Sequence, residues 1–102
     1  MYYVYILASR KNGVIYIGMT GDIERRIAEH KIGSVPGFTR EYNVKMLVWV
    51  EEFKNVDDAL YREKQLKNWH RPWKIALIEK TNPEWCDLAE HILKRDPESS
   101  SG

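Results

Sequence analysis

A single cysteine, Cys86, stands in the chain, so no internal disulfide can form and no cysteine-based zinc site can be built. That scarcity suits a reducing, cytoplasmic compartment, and Cys86 itself reads as a small apolar residue, buried or half-buried. No apolar run is long enough to cross a bilayer: Met1 to Ser9 is short, rich in Tyr and without a basic flank, which marks a strand and not a leader or an anchor. Neither sign of charge is in excess. Sixteen Lys and Arg against fifteen Asp and Glu leave +1, so no global field draws in polyanions, and a nucleic-acid surface would have to come from local clustering. Internal repeats are absent, and the only biased tract is the polar end, Asp96 to Gly102, which has nothing to pack and reads as a frayed, disordered tail.

What is present is enough for one core. In 102 residues, 43% are apolar and 12% aromatic, with four Trp. A chain of this size buries roughly two-thirds of its unfolded surface, so a single domain over residues 1–95 is expected and a second module is excluded.

Tyr2 to Ala8 and Val14 to Met19 are rich in β-branched and aromatic residues and are joined through Arg10-Lys11-Asn12-Gly13, whose Asn-Gly pair signals a hairpin. Asp22 is placed to cap a helix running to about Ile32, with Gly33 as its stop. Ser34 to Asn43 reads as loop. Lys45 to Phe53 carries five apolar residues in succession, Met46 to Val50, the pattern of a strand covered on both faces, and is expected to be the central strand of the sheet. Asn55 would cap a helix from Val56 to about His70, ended by Pro72. A further helix is expected over Trp73 to Lys80, broken by Asn82-Pro83, with a last turn or two within Trp85 to Lys94. The fold class is therefore α+β, a small three-stranded antiparallel sheet in β-β-α-β-α-α order flanked by helices.

Several polar residues fall where a core is expected. On the first helix, Ile23 and Ile27 form the apolar stripe, and Arg26 and His30 share it, one turn apart, about 5 to 6 Å between Cβ atoms. Either Arg26 snorkels past the sheet edge and His30 is a satisfied boundary histidine, or the two address one ligand. On the next long helix, Val56, Ala59, Leu60 and Leu66 define the apolar face, and Glu63 projects near its middle. A carboxylate there needs a cation beside it, either Arg26 in a structural ion pair or a divalent metal. The even-residue hairpin connection puts Tyr5 and Tyr16 on one face, diagonally close, as packing residues or as paired phenols. Gly18, two residues after Tyr16, leaves room there for the close approach of a ligand or backbone.

At this point the chain resembles the GIY-YIG nuclease family, from Tyr2 to about Asp87. Tyr3-Val4-Tyr5 is similar to the Gly-Ile-Tyr element, and Tyr16-Ile17-Gly18 matches the second element unchanged, eleven residues on from Tyr to Tyr. Arg26 follows Tyr16 by ten and His30 follows Arg26 by four, as in the family's helix motif. Glu63, inside Ala59 to Lys67, sits where the family keeps its metal-binding Glu, and Gly37-Phe38-Thr39, Glu63 to Trp69 and Asn82 to Trp85 look like those of short stand-alone bacterial members. Tyr3 replaces the first Gly, and Met19 stands where excision-repair relatives carry a Lys. The window Ile75 to Ile78 lacks the Asn many members carry after the Glu, leaving Asn82 as a distant substitute.

The resemblance implies a metal-dependent endonuclease hydrolysing phosphodiester bonds in nucleic acid, DNA in preference to RNA, with repair- or recombination-type structures among its substrates. Its catalytic set would be Tyr5, Tyr16, Arg26, His30 and Glu63, with Glu63 holding one Mg²⁺ or Mn²⁺ mostly through waters. Lys64, Lys67, His70, Arg71 and Lys74, interleaved with Trp69 and Trp73, form the candidate nucleic-acid patch, unless they are a solvated face with both indoles in the core. Two rival readings stay open. One is a catalytically weak nucleic-acid-binding module of the same fold. The other is a protein-interaction domain with Trp69, Trp73 and Trp85 as exposed anchors. No membrane partner is expected, and the oligomeric state is open, a monomer being compatible.

Overall fold

A computed structural model describes residues 1–34 and 37–93. The expected tail, Lys94 and Pro36 lie outside the described residues. Strands β1 (Tyr2–Ala8), β2 (Ile15–Thr20) and β3 (Met46–Phe53) form one antiparallel sheet. Around it lie α1 (Ile23–Lys31), α2 (Phe38–Glu41), α3 (Val56–Asn68), α4 (Arg71–Thr81) and α5 (Ala89–Leu93).

The strand order is β2-β1-β3, so the central strand is β1 and β3 is an edge by pairing, a correction to the sequence expectation. Its apolar run has another cause. A bulge opposite Ile6 and Leu7 inserts Val48, so Val48 and Trp49 both join the core with Val4, Ile6, Ile17, Ala59, Leu66 and Ile78. Leu47 turns to the opposite face, with Tyr5, Leu7, Ile23, Ile27, Val44 and Ala89. The outer margin of β3 is then covered by the segment after α4. Leu47 N–H donates to Asp87 Oδ1 (3.0 Å), Leu88 N–H donates to the Leu47 carbonyl (2.7 Å), and Asn82 Nδ2 donates to the Val48 carbonyl (3.1 Å). An edge strand whose backbone is satisfied this way can be as apolar as a central one.

Other local expectations meet similar outcomes. Asp22 caps α1 through a bond from Arg25 N–H to its Oδ1 (3.2 Å), and Gly33, at φ 73°, follows the helix end in the left-handed conformation glycine takes without strain. The stretch read as loop contains α2, four residues long, anchored by buried Thr39. Pro72 opens α4 instead of closing α3: α3 stops at Asn68, and Pro sits in the first turn of the next helix, where its missing N–H leaves no bond unmade. On α3 only Ala59 and Leu66 are buried, joining the core against the sheet, while Val56 and Leu60, expected on the apolar face, are exposed. Cys86 is exposed, not buried: its neighbour Trp85 takes the core position, at φ 57°, with its indole N–H donated to Glu79 (2.8 Å). No helix among the described residues is long and apolar enough to cross a membrane.

Candidate active site

The site grows from a cross-strand pairing. Tyr5 lies opposite Gly18 and Leu7 opposite Tyr16, so the two tyrosines share a face and sit on a diagonal, with ring centroids 6.4 Å apart. A side chain at position 18 would occupy the space the Tyr5 ring takes. A Cβ built on Gly18 would lie 2.6 Å from Tyr5 Oη, 2.7 Å from its Cζ and 3.0 Å from Tyr16 Cε2. What approaches Gly18 is thus a pair of rings, not a ligand or a backbone. The missing side chain lets the Tyr5 phenol lie across β2.

Helix α1 packs on this same face through Ile23 and Ile27 and delivers His30, which is buried. The imidazole stands edge-on to Tyr5 and tilted to Tyr16, at centroid distances of 6.0 and 5.9 Å. Tyr5 Oη and His30 Nε2 are 3.4 Å apart, a long hydrogen bond whose direction follows the tautomer. The other ring nitrogen, Nδ1, is buried with no partner among the described residues. Burial and the Arg26 charge hold the imidazole below its ordinary range, so it favours the neutral form. Tyr5 shifts the other way: burial first, then Tyr16, drive its ionisation well above the usual phenol range, and the lowering influence of Arg26 does not offset them. Tyr5 is therefore a phenol, able to donate, at any neutral pH.

Arg26 is partly exposed and lies 3.6 Å from Glu29 Oε1. A polar cleft of about 350 Å³ runs past it, lined by Thr20, Gly21, Asp22, Arg25, Arg26 and Glu29. Glu63 comes from the other layer, since α3 packs its Ala59 and Leu66 on the opposite face of the sheet. Helix α3 also runs against β2, and the Glu63 charge acts on the Tyr5 phenol that lies across that strand. The carboxylate is 18% exposed, and its cation is Lys67 (Nζ to Oε2, 3.1 Å), not the Arg26 that the sequence suggested. Lys67 lies one turn along the same helix with Glu on its N-terminal side, the favoured order for such pairs.

No group of three or more His, Cys, Asp or Glu residues gathers to hold a metal among the described residues. A single half-buried carboxylate, Glu63, is a donor that fits a hard ion keeping most of its water shell.

The expected nucleic-acid patch divides. Lys67 and Lys74 share a cleft with Ile15, Tyr16, Ile17 and Phe38. Lys64 is exposed on α3 and His70 is exposed at the start of α4, but neither lines that cleft. Arg71 is occupied in holding the hairpin, its Nη2 donating to the Asn12 and Gly13 carbonyls (2.9 and 2.6 Å). Asn82 is structural: buried against β3, its amide donates to Val48 O and Cys86 O, and its Oδ1 accepts from Cys86 N. Trp85 is buried, so the three-indole anchor surface does not exist, although Trp73 is exposed.

Phe38, noted in the sequence only within the family-like stretch Gly37-Phe38-Thr39 and given no site role there, joins the site. It stacks on Tyr16 (6.4 Å, 28°) and against Tyr42 (4.9 Å) from a stretch that looked like loop. Two aromatics four apart in a polar segment, Phe38 and Tyr42, were the available signal.

Comparison with known proteins agrees with this geometry. The GIY-YIG catalytic domain model matches residues 1–76. A UPF0213 protein of Staphylococcus haemolyticus is 35% identical over 78 residues, covering 76% of this chain and 94% of its own. One of Halobacterium salinarum is also 35% identical, over its full length and 76% of this chain. The solution NMR structure of the UPF0213 protein from Bacillus halodurans superposes with a TM-score of 0.55 at 31% identity, covering 88% of this chain and 96% of that one. With paired phenols on a hairpin and a matching stretch that takes in β1, β2, α1, β3 and α3, the chain belongs to the GIY-YIG family of nuclease domains and resembles its small stand-alone UPF0213 members.

Proposed function

We propose that this chain is a divalent-metal-dependent endonuclease that hydrolyses phosphodiester bonds, with DNA as the substrate to test first. One observation carries the reading: Tyr5, Tyr16 and His30 stand ring to ring on one face of the sheet, with Arg26 one turn before His30 on α1, and the charges of Arg26 and of Glu63 from α3 both reach the Tyr5 phenol. A pure binding module has no need of that set.

Hydrolysis needs an oriented water, stabilisation of charge on the phosphoryl oxygens and a proton for the departing oxygen. Arg26 offers a fork of donors matched to phosphate oxygens. Tyr5, kept protonated by its burial, donates a hydrogen bond and does not act as a base. Tyr16 is the less buried phenol and is assigned to orienting or deprotonating the attacking water, helped by neighbouring cations. His30, neutral and with Nδ1 unpartnered, can take up a proton and pass it on. Glu63 would hold one Mg²⁺ or Mn²⁺, releasing Lys67 toward substrate, and such an ion supplies polarisation of the phosphate and charge stabilisation for the leaving oxygen. The exposed free thiol of Cys86 fits the reducing environment of a cytoplasmic protein.

The test is a Mg²⁺-dependent nicking assay on supercoiled, single-stranded, flap and branched DNA. Glu63→Gln and Tyr16→Phe should each lower the rate by about 100-fold or more. Full cleavage by Glu63→Gln at limiting Mg²⁺ would refute the metal assignment, and equal activity in wild type and both variants would expose a contaminant.

A further inference from the structure

The cleft beside Tyr16 holds more than the catalytic set uses. Its walls combine two cations, Lys67 and Lys74, with the Phe38 ring and the apolar flank of Ile15 and Ile17. Phe38 is 47% exposed, and Tyr42, 51% exposed, supports it at 4.9 Å. Phe38 stacks on Tyr16 at one side, yet about half of it stays open to solvent in a cleft that two lysines also line, which is more exposure than packing alone requires. At about 250 Å³ the cleft is below the roughly 300–1,000 Å³ of pockets that enclose whole ligands, and it suits one planar group of a longer chain.

From this, and resting on the nuclease reading, we propose that Phe38, Lys67 and Lys74 form a subsite for one unpaired nucleotide next to the scissile phosphodiester. The base stacks on Phe38 and its flanking phosphates meet the two ammonium groups. A base inside a duplex has both faces covered and must be turned out first, at a penalty that a single strand, flap or branch point does not incur. The subsite therefore makes the chain selective for nucleic acid with unpaired bases, without reading sequence, because every base offers a stacking face.

The experiment measures binding by the full-length chain without divalent ions, using fluorescence anisotropy of labelled oligothymidine, oligouridine and a duplex of equal length, alongside the nicking assay with Mg²⁺. Wild type should prefer either single strand to duplex. Phe38→Ala should weaken single-strand binding by about tenfold. Phe38→Trp should restore it, with the new indole quenched as oligothymidine binds. Tyr61→Ala removes an aromatic that is 71% exposed and lines no described cleft, and should bind as wild type does. Equal single-strand affinity for Phe38→Ala and wild type, in a chain that still nicks DNA, overturns the subsite and leaves the nuclease reading standing. A chain that neither binds nor cuts any of these nucleic acids overturns both.

Discussion

Replacing Gly18 with alanine tests the geometry on which the site is built. The added methyl would sit 2.6 and 2.7 Å from Tyr5 Oη and Cζ and 3.0 Å from Tyr16 Cε2, where unstrained heavy-atom contacts need about 3.5–4.0 Å. The Tyr5 ring is 2% exposed and packed beneath α1, so it cannot swing into solvent, and the overlap must be relieved by moving β2, Tyr5 or both by about an ångström. Overpacking of this kind destabilises by about 1–3 kcal/mol, against about 0.4–1 kcal/mol gained from the stiffer unfolded chain, so the net sign is unfavourable. At the middle of both ranges the net loss is about 1.3 kcal/mol, which for a domain of this size lowers Tm by roughly 5–10 °C. Thermal and urea unfolding measure it, and a double-mutant cycle identifies the cause. In a Tyr5→Leu background the methyl has space, so the same substitution should be close to neutral, with a coupling of about 1 kcal/mol or more. Additive effects, or a Gly18→Ala chain as stable as wild type, would show that the ring does not lie over this glycine. Cleavage by Gly18→Ala should fall about 100-fold even below its melting point, since an ångström of misplacement is enough to disrupt a reacting geometry.

Further outcomes follow from other contacts. Since His30 is held below its ordinary 6.5 in the folded chain, the unfolded chain binds the proton first, so stability is full above about pH 6.5 and falls as acid is added; His30→Gln should flatten that decline in pH-dependent urea unfolding. Asn82→Ala leaves the Val48 and Cys86 groups unpaired and should destabilise by about 1–3 kcal/mol in thermal unfolding, while the nicking rate per folded molecule stays at the wild-type value. Changing Lys67 and Lys74 together to Ala should weaken DNA binding and reduce the slope of log affinity against log salt by about 1.4 on single strands, as expected for two lost phosphate contacts; an unchanged slope would put the binding surface elsewhere.

The site was legible where it depended on local period and short spacing. The hairpin parity that aligns Tyr5 with Tyr16 follows from the Asn12-Gly13 turn, and the stripe shared by Ile23, Ile27 and His30 follows from helical pitch. The misreadings arise where tertiary contacts decide. Continuous hydrophobicity from Met46 to Val50 cannot tell a central strand from an edge strand carrying a bulge and a covered margin. The apolar letters of Val56 and Leu60 do not reveal that only Ala59 and Leu66 of α3 reach the core. The need of a half-buried Glu63 for a cation points equally to Arg26 across the fold and to its i,i+4 neighbour Lys67, and the local partner is the one it has. The stretch Gly37-Phe38-Thr39 carries the family likeness but not the role of Phe38 against Tyr16, because four residues of helix make too little periodicity to recognise.

The strap that Asn82, Asp87 and Leu88 lay along β3 sets where this fold can be cut. A fragment stopping at residue 76 would keep every side chain of the catalytic proposal and the whole family match, yet it would strip the shield from Leu47 and Val48 and remove Trp85 from the core. Bare strand margins recruit other chains. Truncation at that boundary should therefore yield not a minimal nuclease but a sticky one, whose loss of activity would say nothing about chemistry.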